Sequence, residues 1–307
     1  MQSLIVGYGS IGRRHADILT ALNCKVALVT SQAIDTYPCF NSIKTALEEK
    51  NTFDQIIIAN QTHLHFDTLK SVLNAKYTGN ILVEKPLFSV LESLNTSTSN
   101  QPIYVAYNFR FHALLQKARD LLIDDTPISF SARVGSYLPH WRKNQDYRNC
   151  YSAKKNCGGG VLRDLSHELD YAIWFCGKCH AITALGGHYS TLEIDSDDVY
   201  SILMRCERCP VVSIHLDYLS RLPFRQITMQ TKNQNTIFID LIKGELVFNG
   251  DLHMQVDDGI SQSYYAQHSA FLNKDFSNFC DYMQGMSIVR LISAAEEAAL
   301  KQKWINL

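Results

Sequence analysis

The first hundred residues alternate short apolar runs with helical patterns, and this rhythm restricts the fold more than any other feature of the chain. A repeated order of strand, helix and strand predicts a parallel sheet, because parallel neighbours need a crossover helix between them. We therefore predict a doubly wound α/β domain over residues 1–107. The five apolar runs are Leu4–Val6, Val26–Val29, Ile56–Ala59, Ile81–Val83 and Ile103–Ala106.

After Tyr107 the pattern changes to segments in which apolar and polar residues alternate. Period-two alternation is typical of strands with one face buried and one face open. Residues 108–307 are therefore predicted to form a second α/β domain, with an open, mainly antiparallel sheet and helices on one face. The alternating segments are Ile128–Val134, Val199–Met204, Val211–Tyr218, Arg225–Thr231 and Thr236–Leu241, and the helical patterns are Asn108–Leu122, Ser269–Gly285 and Ser287–Leu307.

Charge and hydropathy exclude several classes of partner. The net charge is −1 with 19% charged residues, so no excess of charge favours nucleic acid or an anionic membrane surface. No apolar run approaches the roughly 18 residues of a membrane span, and Met1 leads into Leu4–Val6 without a basic leader segment. We expect a cytoplasmic protein with a small, roughly neutral partner.

The nine cysteines are an odd number in a chain that is long enough not to need disulfides, which favours reduced thiols. Two C-x-x-C segments, Cys176–Cys179 and Cys206–Cys209, have a spacing that suits a tetrahedral zinc ion. The first ends a helical pattern and the second lies in a polar turn, and nothing in the sequence brings them together. The sequence therefore favours reduced thiols without a metal, and whether the two pairs bind zinc stays open.

The segment Gly7-Tyr8-Gly9-Ser10-Ile11-Gly12 follows the first apolar run and opens a helical pattern. Glycines at this spacing permit a tight turn, close approach of a pyrophosphate and tight helix packing, while the helix N-terminus offers unpaired N–H groups. In this strand, turn and helix context the motif predicts dinucleotide binding rather than an ordinary glycine turn.

The end of the second apolar run bears on which dinucleotide is bound. NAD sites usually carry an acidic residue there to bind the ribose hydroxyls. This chain has Thr30, Ser31 and Gln32 instead, and hydroxyl and amide groups do not repel a 2′-phosphate. Arg13 and Arg14 are the nearest cations, so the sequence favours NADP over NAD.

Polar residues follow two further apolar runs, at the predicted carboxyl edge of the parallel sheet where ligands bind. Asn60-Gln61-Thr62-His63-Leu64-His65 follows Ile56–Ala59, and Thr62 suits a helix N-cap. Glu84-Lys85-Pro86 follows Ile81–Val83. A strand-end salt bridge with a proline stop explains the glutamate and the lysine, but not their position at a binding edge.

These segments, together with Gly158-Gly159-Gly160 followed by Asp164 and His167, resemble the Gfo/Idh/MocA family of NAD(P)-dependent oxidoreductases. The resemblance covers nearly the whole chain, and the Glu-Lys-Pro segment is its most specific part. It implies a Rossmann domain followed by a substrate-binding domain whose open sheet face serves self-association, as a dimer or tetramer.

The resemblance also implies roles for individual residues. Lys85 is expected to be catalytic, donating a hydrogen bond to the substrate oxygen, beside Glu84 and a Lys-Pro peptide that is often cis. The residues expected to bind the cofactor are Gly7, Tyr8, Gly9, Ser10, Ile11, Gly12, Thr30, Ser31, Asn60, Thr62, His65, Glu84 and Lys85.

Asp164 and His167 are the second catalytic pair that the resemblance implies. His167 is expected to be an acid/base or hydroxyl-binding group, and Asp164 a substrate-binding or orienting carboxylate. Many family members separate the two by four positions, whereas the step here is three. Both steps keep the pair on one helix face, so the roles are retained, but which group contacts the reacting hydroxyl stays open.

Tyr137–Arg148 resembles a segment of family members from surface-polysaccharide and acidic-sugar biosynthesis. Aromatic faces stack on sugar rings and arginines pair with carboxylate or phosphate groups. Together with Lys85, Asp164 and His167, the residues expected to bind substrate are Arg110, Trp141, Arg142, Tyr147 and Arg148.

The function predicted from these features is hydride transfer between NADP or NAD and a secondary alcohol of a sugar or sugar derivative, possibly a nucleotide-linked one. Two alternatives stay open. One is a non-catalytic regulator that senses the dinucleotide, and the other is a glycosidase of the same fold that uses NAD without net turnover.

Overall fold

The computed structural model describes residues 1–49, 53–94, 101–142 and 145–307. The chain divides into two compact units: residues 1–107 with 264–289, and residues 108–263 with 290–307. Residues 264–289, assigned above to the second domain, thus cluster with the first unit. No helix in the described ranges is long and apolar enough to cross a membrane.

The first unit contains a sheet in which every neighbouring pair but one is parallel. Its order is β15-β6-β5-β4-β1-β2-β3, and only β15 (Cys280–Asp281), from late in the chain, runs antiparallel. Its elements from residues 1–107 are β1 (Gln2–Val6), α1 (Ser10–Ala21), β2 (Lys25–Val29), β3 (Cys39–Phe40), α2 (Ile43–Glu49), β4 (Gln55–Ile58), α3 (His65–Asn74), β5 (Asn80–Val83) and β6 (Ile103–Val105).

The central strands of this sheet are buried on both faces, which is why they read as continuous apolar runs. Val6 at the end of β1 pairs with Val29 of β2 and with Ile58 of β4. Val83 of β5 pairs with Ile58 in turn. The carboxyl ends of β1, β2, β4 and β5 therefore meet at one edge, and the glycine loop, the Thr30 segment, the Asn60 segment and Lys85 all begin there.

The second unit contains a nine-stranded sheet in the order β14-β13-β12-β11-β7-β10-β9-β8-β16. All neighbours are antiparallel except β7 and β10. Helices α5 and α6 pack on β7, β9 and β10, so the prediction of an open, mainly antiparallel sheet with helices on one face is confirmed. The elements introduced by residues 108–255 are α4 (Ala113–Leu121), β7 (Pro127–Gly135), α5 (Val161–Asp164), α6 (His167–Cys176), β8 (Cys179–Gly187), β9 (Val199–Cys206), β10 (Val211–Asp217), β11 (Phe224–Thr231), β12 (Thr236–Asp240), β13 (Glu245–Phe248) and β14 (Asp251–Gln255).

The end of the chain departs from the predicted helices. The remaining elements are α7 (Gly259–Leu272), β15 (Cys280–Asp281), α8 (Tyr282–Lys301) and β16 (Ile305–Asn306). The prediction of one helix over Ser269–Gly285 was therefore wrong. Lys274 has a φ of +58° and the Asp275 carboxylate accepts hydrogen bonds from the N–H and the hydroxyl of Ser277, so a turn interrupts the helical pattern.

Short 3₁₀ turns occur in two stretches of the second unit, one predicted as a helix and the other as a loop. The helical pattern from Asn108 begins as a 3₁₀ turn over Asn108–Phe111, and α4 starts only after His112, whose Nδ1 accepts from the N–H of Leu114 at 3.2 Å. In the described part of the predicted functional loop after Tyr137 there are four such turns, over Leu138–His140, Tyr147–Asn149, Tyr151–Ala153 and Lys155–Cys157.

Candidate functional site

The glycine loop of the first unit has the geometry that a bound pyrophosphate needs. Gly7 has a φ of +97°, and a Cβ there would meet the backbone of Asn60. A Cβ at Gly12 would meet the carbonyl of Gly7, whereas one at Gly9 would meet nothing within 4 Å. Gly9 is also the N-cap of α1 without a side-chain cap, so the first N–H groups of α1 stay available for an anion.

Arg13 of α1 lies beside the polar segment at the end of β2, which contains no acidic residue. The Arg13 guanidinium lies 3.3 Å from Gln32 Oε1 and its Cζ lies 5.1 Å from the centre of the Tyr8 ring. Gln32 also donates to the carbonyl of Tyr8, and its own N–H donates to the hydroxyl of Thr30. A cation therefore lies beside the polar segment that follows β2. Arg14 lies instead over the ring of Tyr264.

His65 is a buried group and Asn60 a half-buried one at the sheet edge. His65 is 1% exposed, with Nδ1 3.1 Å from the carbonyl of Pro86 and Nε2 3.1 Å from the carbonyl of Asn60. Burial lowers the pKa of His65 below its ordinary value, so the ring is neutral and donates from one nitrogen. This geometry favours a positioning role for His65. Thr62 is also buried, and it begins a 3₁₀ turn rather than capping it.

Glu84 is a buried carboxylate held by a chain of histidines. Its Oε1 lies 2.9 Å from His15 Nε2, and His15 Nδ1 lies 2.7 Å from His268 Nε2. Burial by itself would raise the pKa of Glu84, but the hydrogen bond with His15 and the nearby Lys85 lower it below the ordinary value. Glu84 therefore stays ionised.

Lys85 follows Glu84 at the carboxyl end of β5. Its backbone N–H donates to Glu84 Oε2 at 3.0 Å, and the Lys85–Pro86 peptide is cis. The side chain is only partly buried. An ammonium group beside an ionised carboxylate thus stands at the same sheet edge as the glycine loop.

In the second unit, two tyrosines hold Asp164 at the end of α5. The Tyr218 hydroxyl donates to Asp164 Oδ2 at 2.6 Å, and Tyr151 forms a further hydrogen bond with the carboxylate. Burial, followed by the charge of Asp164, raises the pKa of Tyr218 well above its ordinary value. The charge of Asp164, followed by burial, raises that of Tyr151. Both phenols therefore stay protonated and donate.

Two of the substrate-binding residues predicted from the sequence join this group. The Trp141 ring meets the Tyr218 ring edge-on at 5.1 Å, and its indole N–H donates to Ser136 at 2.6 Å. The Arg142 guanidinium lies 5.5 Å from the centre of the Tyr151 ring. Trp141 and Arg142 are thereby brought together with Asp164, in an arrangement of aromatic, cationic and acidic groups that suits a polar ring substrate.

His167 begins α6, where the Phe109 ring lies 4.5 Å from its imidazole ring. The next residue, Glu168, is fully buried and accepts from the Arg225 guanidinium at 2.8 Å and 3.2 Å and from the Tyr171 hydroxyl at 2.9 Å. Arg225 also lies over the Phe109 ring. This network positions the Phe109 ring that contacts His167. His167 and Asp164 are 6% and 7% exposed, so neither lies on a solvated helix face.

Arg110 lies elsewhere, in a buried ion pair with Asp170. Its Nε is 3.0 Å and its Nη2 2.7 Å from the carboxylate oxygens, and both side chains are at most 3% exposed. This geometry favours a structural role for Arg110. Arg148 is held at the surface by Asp146 and Glu193, and the Tyr147 hydroxyl accepts from the N–H of Glu193. Arg148 is thus held at the surface, whereas Tyr147 lines a small pocket together with Trp141 and Arg142.

The Gly158-Gly159-Gly160 segment has a local structural cause. Gly158 and Gly160 have φ values of +78° and +114°, and a Cβ at Gly159 would meet the carbonyls of Tyr151 and Ser152. Asp197 caps the start of α5 by accepting from the N–H of Leu162 at 2.9 Å. The glycines therefore deliver Asp164 next to Tyr151.

Several residues of these groups gave no sequence signal. Tyr218 ends an alternating strand and Tyr151 lies in a polar loop, so neither stands out from other tyrosines. His15 lies one turn beyond the glycine loop on α1, which is a signal in retrospect. The structure also corrects one premise: the two C-x-x-C segments, which nothing in the sequence connects, are adjacent across β8 and β9.

Comparisons with known proteins agree with this architecture. Residues 1–99 match the family model for the oxidoreductase family with an NAD-binding Rossmann fold, and residues 125–240 match the GFO/IDH/MocA C-terminal domain. A comparison with curated proteins gave no match.

Solved structures share the fold at low identity. GenD2 from gentamicin A biosynthesis, in complex with NAD, is 19% identical with a TM-score of 0.82 over 100% of this chain and 96% of that chain. Levoglucosan dehydrogenase with NADH is 16% identical with a TM-score of 0.85, over 100% and 98%. UDP-N-acetylglucosamine 3-dehydrogenase GnnA from Acidithiobacillus ferrooxidans is 17% identical with a TM-score of 0.79, over 97% of each chain.

Proposed function

Because the chain belongs to the Gfo/Idh/MocA family of NAD-binding oxidoreductases, we propose that it transfers hydride between a nicotinamide dinucleotide and a secondary alcohol of a sugar or sugar derivative. The observation that carries the proposal is the shared sheet edge: the glycine loop after β1 and Lys85 after β5 follow strands of one parallel sheet. An anion-binding helix end and a positioned ammonium are the two groups that such a reaction needs there.

The residues of the chain divide the chemistry as follows. The N–H groups at the start of α1 hold the pyrophosphate, and the bound nicotinamide supplies the hydride acceptor or donor. The Lys85 ammonium donates to the substrate oxygen and stabilises the negative charge that develops on it as the C–H bond breaks. His167 accepts the hydroxyl proton during oxidation, or returns it during reduction, and Asp164 binds the substrate.

Asp164 is suited to binding rather than to proton transfer, because Tyr218 and Tyr151 already donate to it. His167 carries an imidazole, the side chain that most often transfers protons in catalysis, and the Phe109 ring lies 4.5 Å from its ring. We therefore assign the proton to His167 and the orientation of the substrate to Asp164, Trp141 and Arg142.

We further infer a preference for NADP. Arg13 lies beside Gln32 at the end of β2, where an acid would repel a 2′-phosphate, and the segment carries no acid.

The nearly neutral charge and the nine cysteines favour a reducing, cytoplasmic compartment.

The open face of the second sheet supports self-association. Leu185, Leu203 and Val211 on the neighbouring strands β8, β9 and β10 are 72%, 48% and 55% exposed. An exposed apolar sheet face is the usual site of a symmetric dimer or tetramer contact. Leu203→Glu should lower the oligomeric mass measured by light scattering, whereas Leu222→Glu, at an exposed leucine outside the strands, should not; an unchanged mass for Leu203→Glu would contradict this contact.

The test of the proposed reaction is a substrate panel read by nicotinamide absorbance. Free and nucleotide-linked sugars, with and without a carboxylate, are each incubated with NAD, NADP and their reduced forms. We expect turnover with at least one sugar secondary alcohol, and no turnover in a Gly12→Val control whose side chain would collide with the Gly7 carbonyl. Tight dinucleotide binding without turnover of any sugar would favour a sensing protein, and release of a sugar from a glycoside without net reduction of NAD would favour a glycosidase.

A further inference from the structure

The second unit contains a cluster of four buried cysteines that the proposed reaction does not use. Cys176 ends α6 and Cys179 begins β8, while Cys206 ends β9 and Cys209 lies in the turn before β10. Each of the four is at most 5% exposed. Two C-x-x-C segments from different parts of the chain therefore meet in the interior.

Backbone hydrogen bonds fix the two segments against each other. Cys179 and Cys206 are direct partners in the antiparallel pairing of β8 with β9. The N–H of Arg208 donates to the carbonyl of Cys176 at 2.8 Å, and that of Glu207 donates to the carbonyl of Lys178 at 2.9 Å. Gly177, with a φ of +80°, permits the turn between the first two cysteines.

The two segments are arranged alike. The thiol of Cys179 donates to the carbonyl of Ala181 at 3.3 Å, and that of Cys209 donates to the carbonyl of Val211 at 3.4 Å, two residues further along in each case. The thiols also interact across the segments, Cys176 with Cys209 and Cys179 with Cys206. Each segment thus contributes one member to each pair.

We propose that the two C-x-x-C segments, Cys176–Cys179 and Cys206–Cys209, form a structural zinc site with four thiolate ligands. The number of ligands, their spacing and their burial are those of a closed Cys₄ site, and soft thiolates select zinc over harder cations. Four thiols lose their protons to solvent as one Zn²⁺ binds, which leaves a site of charge −2 next to the Arg208 side chain.

The thiols now stand in pairs, and no group of three His, Cys, Asp or Glu side chains within the described ranges has the arrangement of a metal site. Metal binding therefore requires the cysteine side chains to turn about χ1 from their contacts with each other. The energy of such a turn is small beside that of four zinc–thiolate bonds, and the backbone that carries the sulfurs needs no new pairing.

This assignment gives the metal a structural task. Bound zinc would join the C-terminal end of α6 to the β9–β10 turn, while the N-terminal end of α6 carries His167. The ion would hold the helix in place without contacting substrate, because a closed four-ligand site has no open position for one.

The test measures metal and thiols in the same sample of the full chain. After purification without added metal and dialysis against EDTA, we expect about one zinc ion per chain by elemental analysis. Cys176→Ser and Cys209→Ser should each release most of it, whereas Cys24→Ser and Cys150→Ser, at buried cysteines outside the cluster, should retain it.

A measurement on the wild-type chain keeps the test decisive if the variants do not fold. X-ray absorption at the zinc edge should show four sulfur ligands at about 2.3 Å, and exchange for Co²⁺ should give the visible spectrum of a tetrahedral thiolate site. Metal-free soluble protein with nine titratable thiols would overturn the proposal. So would a count of five thiols with two disulfides, or zinc that stays bound in both serine variants.

Discussion

The glycine loop of the first unit is defined by backbone geometry, whereas the Asp164 group of the second is defined by side-chain contacts. The loop consists of six consecutive residues, and its geometry comes from backbone: a positive φ at Gly7 and open space at Gly9. The Asp164 group consists of side chains from separate segments, with Tyr151 and Tyr218 converging on one carboxylate. The first is specified by local sequence and the second by the tertiary fold.

The two regions also treat charge differently. The start of α1 leaves its N–H groups without a side-chain cap, and an incoming anion completes it. Helix α6 is buried on nearly all sides, and the charges on it are matched internally, as Glu168 is by Arg225 and Asp170 by Arg110. A larger side chain in the glycine loop is therefore expected to impair anion binding in the first region. Removal of a buried charged group is expected to lower the stability of the second.

The largest effect is expected at Lys85, the proposed catalytic side chain at the sheet edge of the first unit. Lys85→Ala should lower turnover by about 10² to 10⁴, because a positioned charge-stabilising group is lost. Dinucleotide affinity should change little, since the glycine loop holds the pyrophosphate. Single-turnover hydride transfer and cofactor titration of the same variant separate the two.

Two further variants sharpen that measurement. Lys85→Arg should restore little activity, because a planar guanidinium does not fit the site of a compact ammonium. Lys70→Ala, at an exposed lysine of α3, should behave as wild type. If Lys85→Ala lost cofactor binding and activity in parallel, the lysine would be a structural part of the sheet edge and not the catalytic group.

In the second unit, we expect the largest loss of stability when one charge of a buried ion pair on α6 is removed. Arg110→Met removes the guanidinium from the buried ion pair with Asp170, and we expect the free energy of unfolding to fall by about 3–5 kcal/mol. Arg142→Met removes only a partly exposed cation over the Tyr151 ring, and should lower it by less than about 1 kcal/mol while weakening substrate binding. Chemical denaturation measures the free energy of unfolding of both variants. KM is measured at 20 °C, below the temperature at which either variant unfolds. Equal stability losses would place Arg142 in the structural network as well.

The comparison explains which predictions the sequence could support. The parallel sheet, the glycine loop and Lys85 follow from contiguous patterns, since strand order and loop geometry are set by neighbours in the chain. The mainly antiparallel second sheet follows equally from period-two alternation. In these regions one stretch of sequence carries the whole signal.

The remaining features depend on contacts between distant residues. Arg110 and Arg142 look alike in the sequence, and only the fold pairs one with Asp170 and leaves the other beside Tyr151. The pairing of Cys179 with Cys206 arises from strand register, which the sequence of either segment does not contain. The break in the predicted helix over Ser269–Gly285 depends on a turn at Asp275 that overrides helical periodicity.

A smaller effect should appear in the pH dependence of stability, through the carboxylate that caps α5. Burial raises the pKa of Asp197 to about 6 from the ordinary value of 3.8. The folded state therefore holds this proton more tightly than the unfolded state, and the resulting stability is complete below pH 3.8 and is lost as the pH rises through 6. Each unit of pKa shift corresponds to about 1.4 kcal/mol.

The matched variant is Asp197→Asn, whose amide oxygen can still accept from the N–H of Leu162 but does not titrate. We expect the wild-type free energy of unfolding to fall relative to that of the variant by about 2–3 kcal/mol between pH 4 and pH 7. Denaturant titrations at four pH values measure the difference. Parallel curves for the two proteins would show that burial does not perturb this carboxyl group.

The smallest effect concerns the cofactor end of the first region, where Arg13 stands beside Gln32. If its guanidinium pairs with a 2′-phosphate, Arg13→Ala should weaken NADPH by about tenfold, or 1.4 kcal/mol, since an exposed charge-assisted contact is worth less than a buried one. NADH carries no phosphate there and should bind the variant as it binds wild type. Arg14→Ala is the matched control. Arg14 is on the same helix as Arg13 but lies over the Tyr264 ring, so its loss should affect neither cofactor. Raised salt should reduce the NADPH preference of wild type and leave that of Arg13→Ala nearly constant. Equal loss of both cofactors in Arg13→Ala, or tighter binding of NADH than of NADPH by wild type, would mean that the 2′ position is recognised by Thr30 and Ser31 and that the guanidinium only supports the loop.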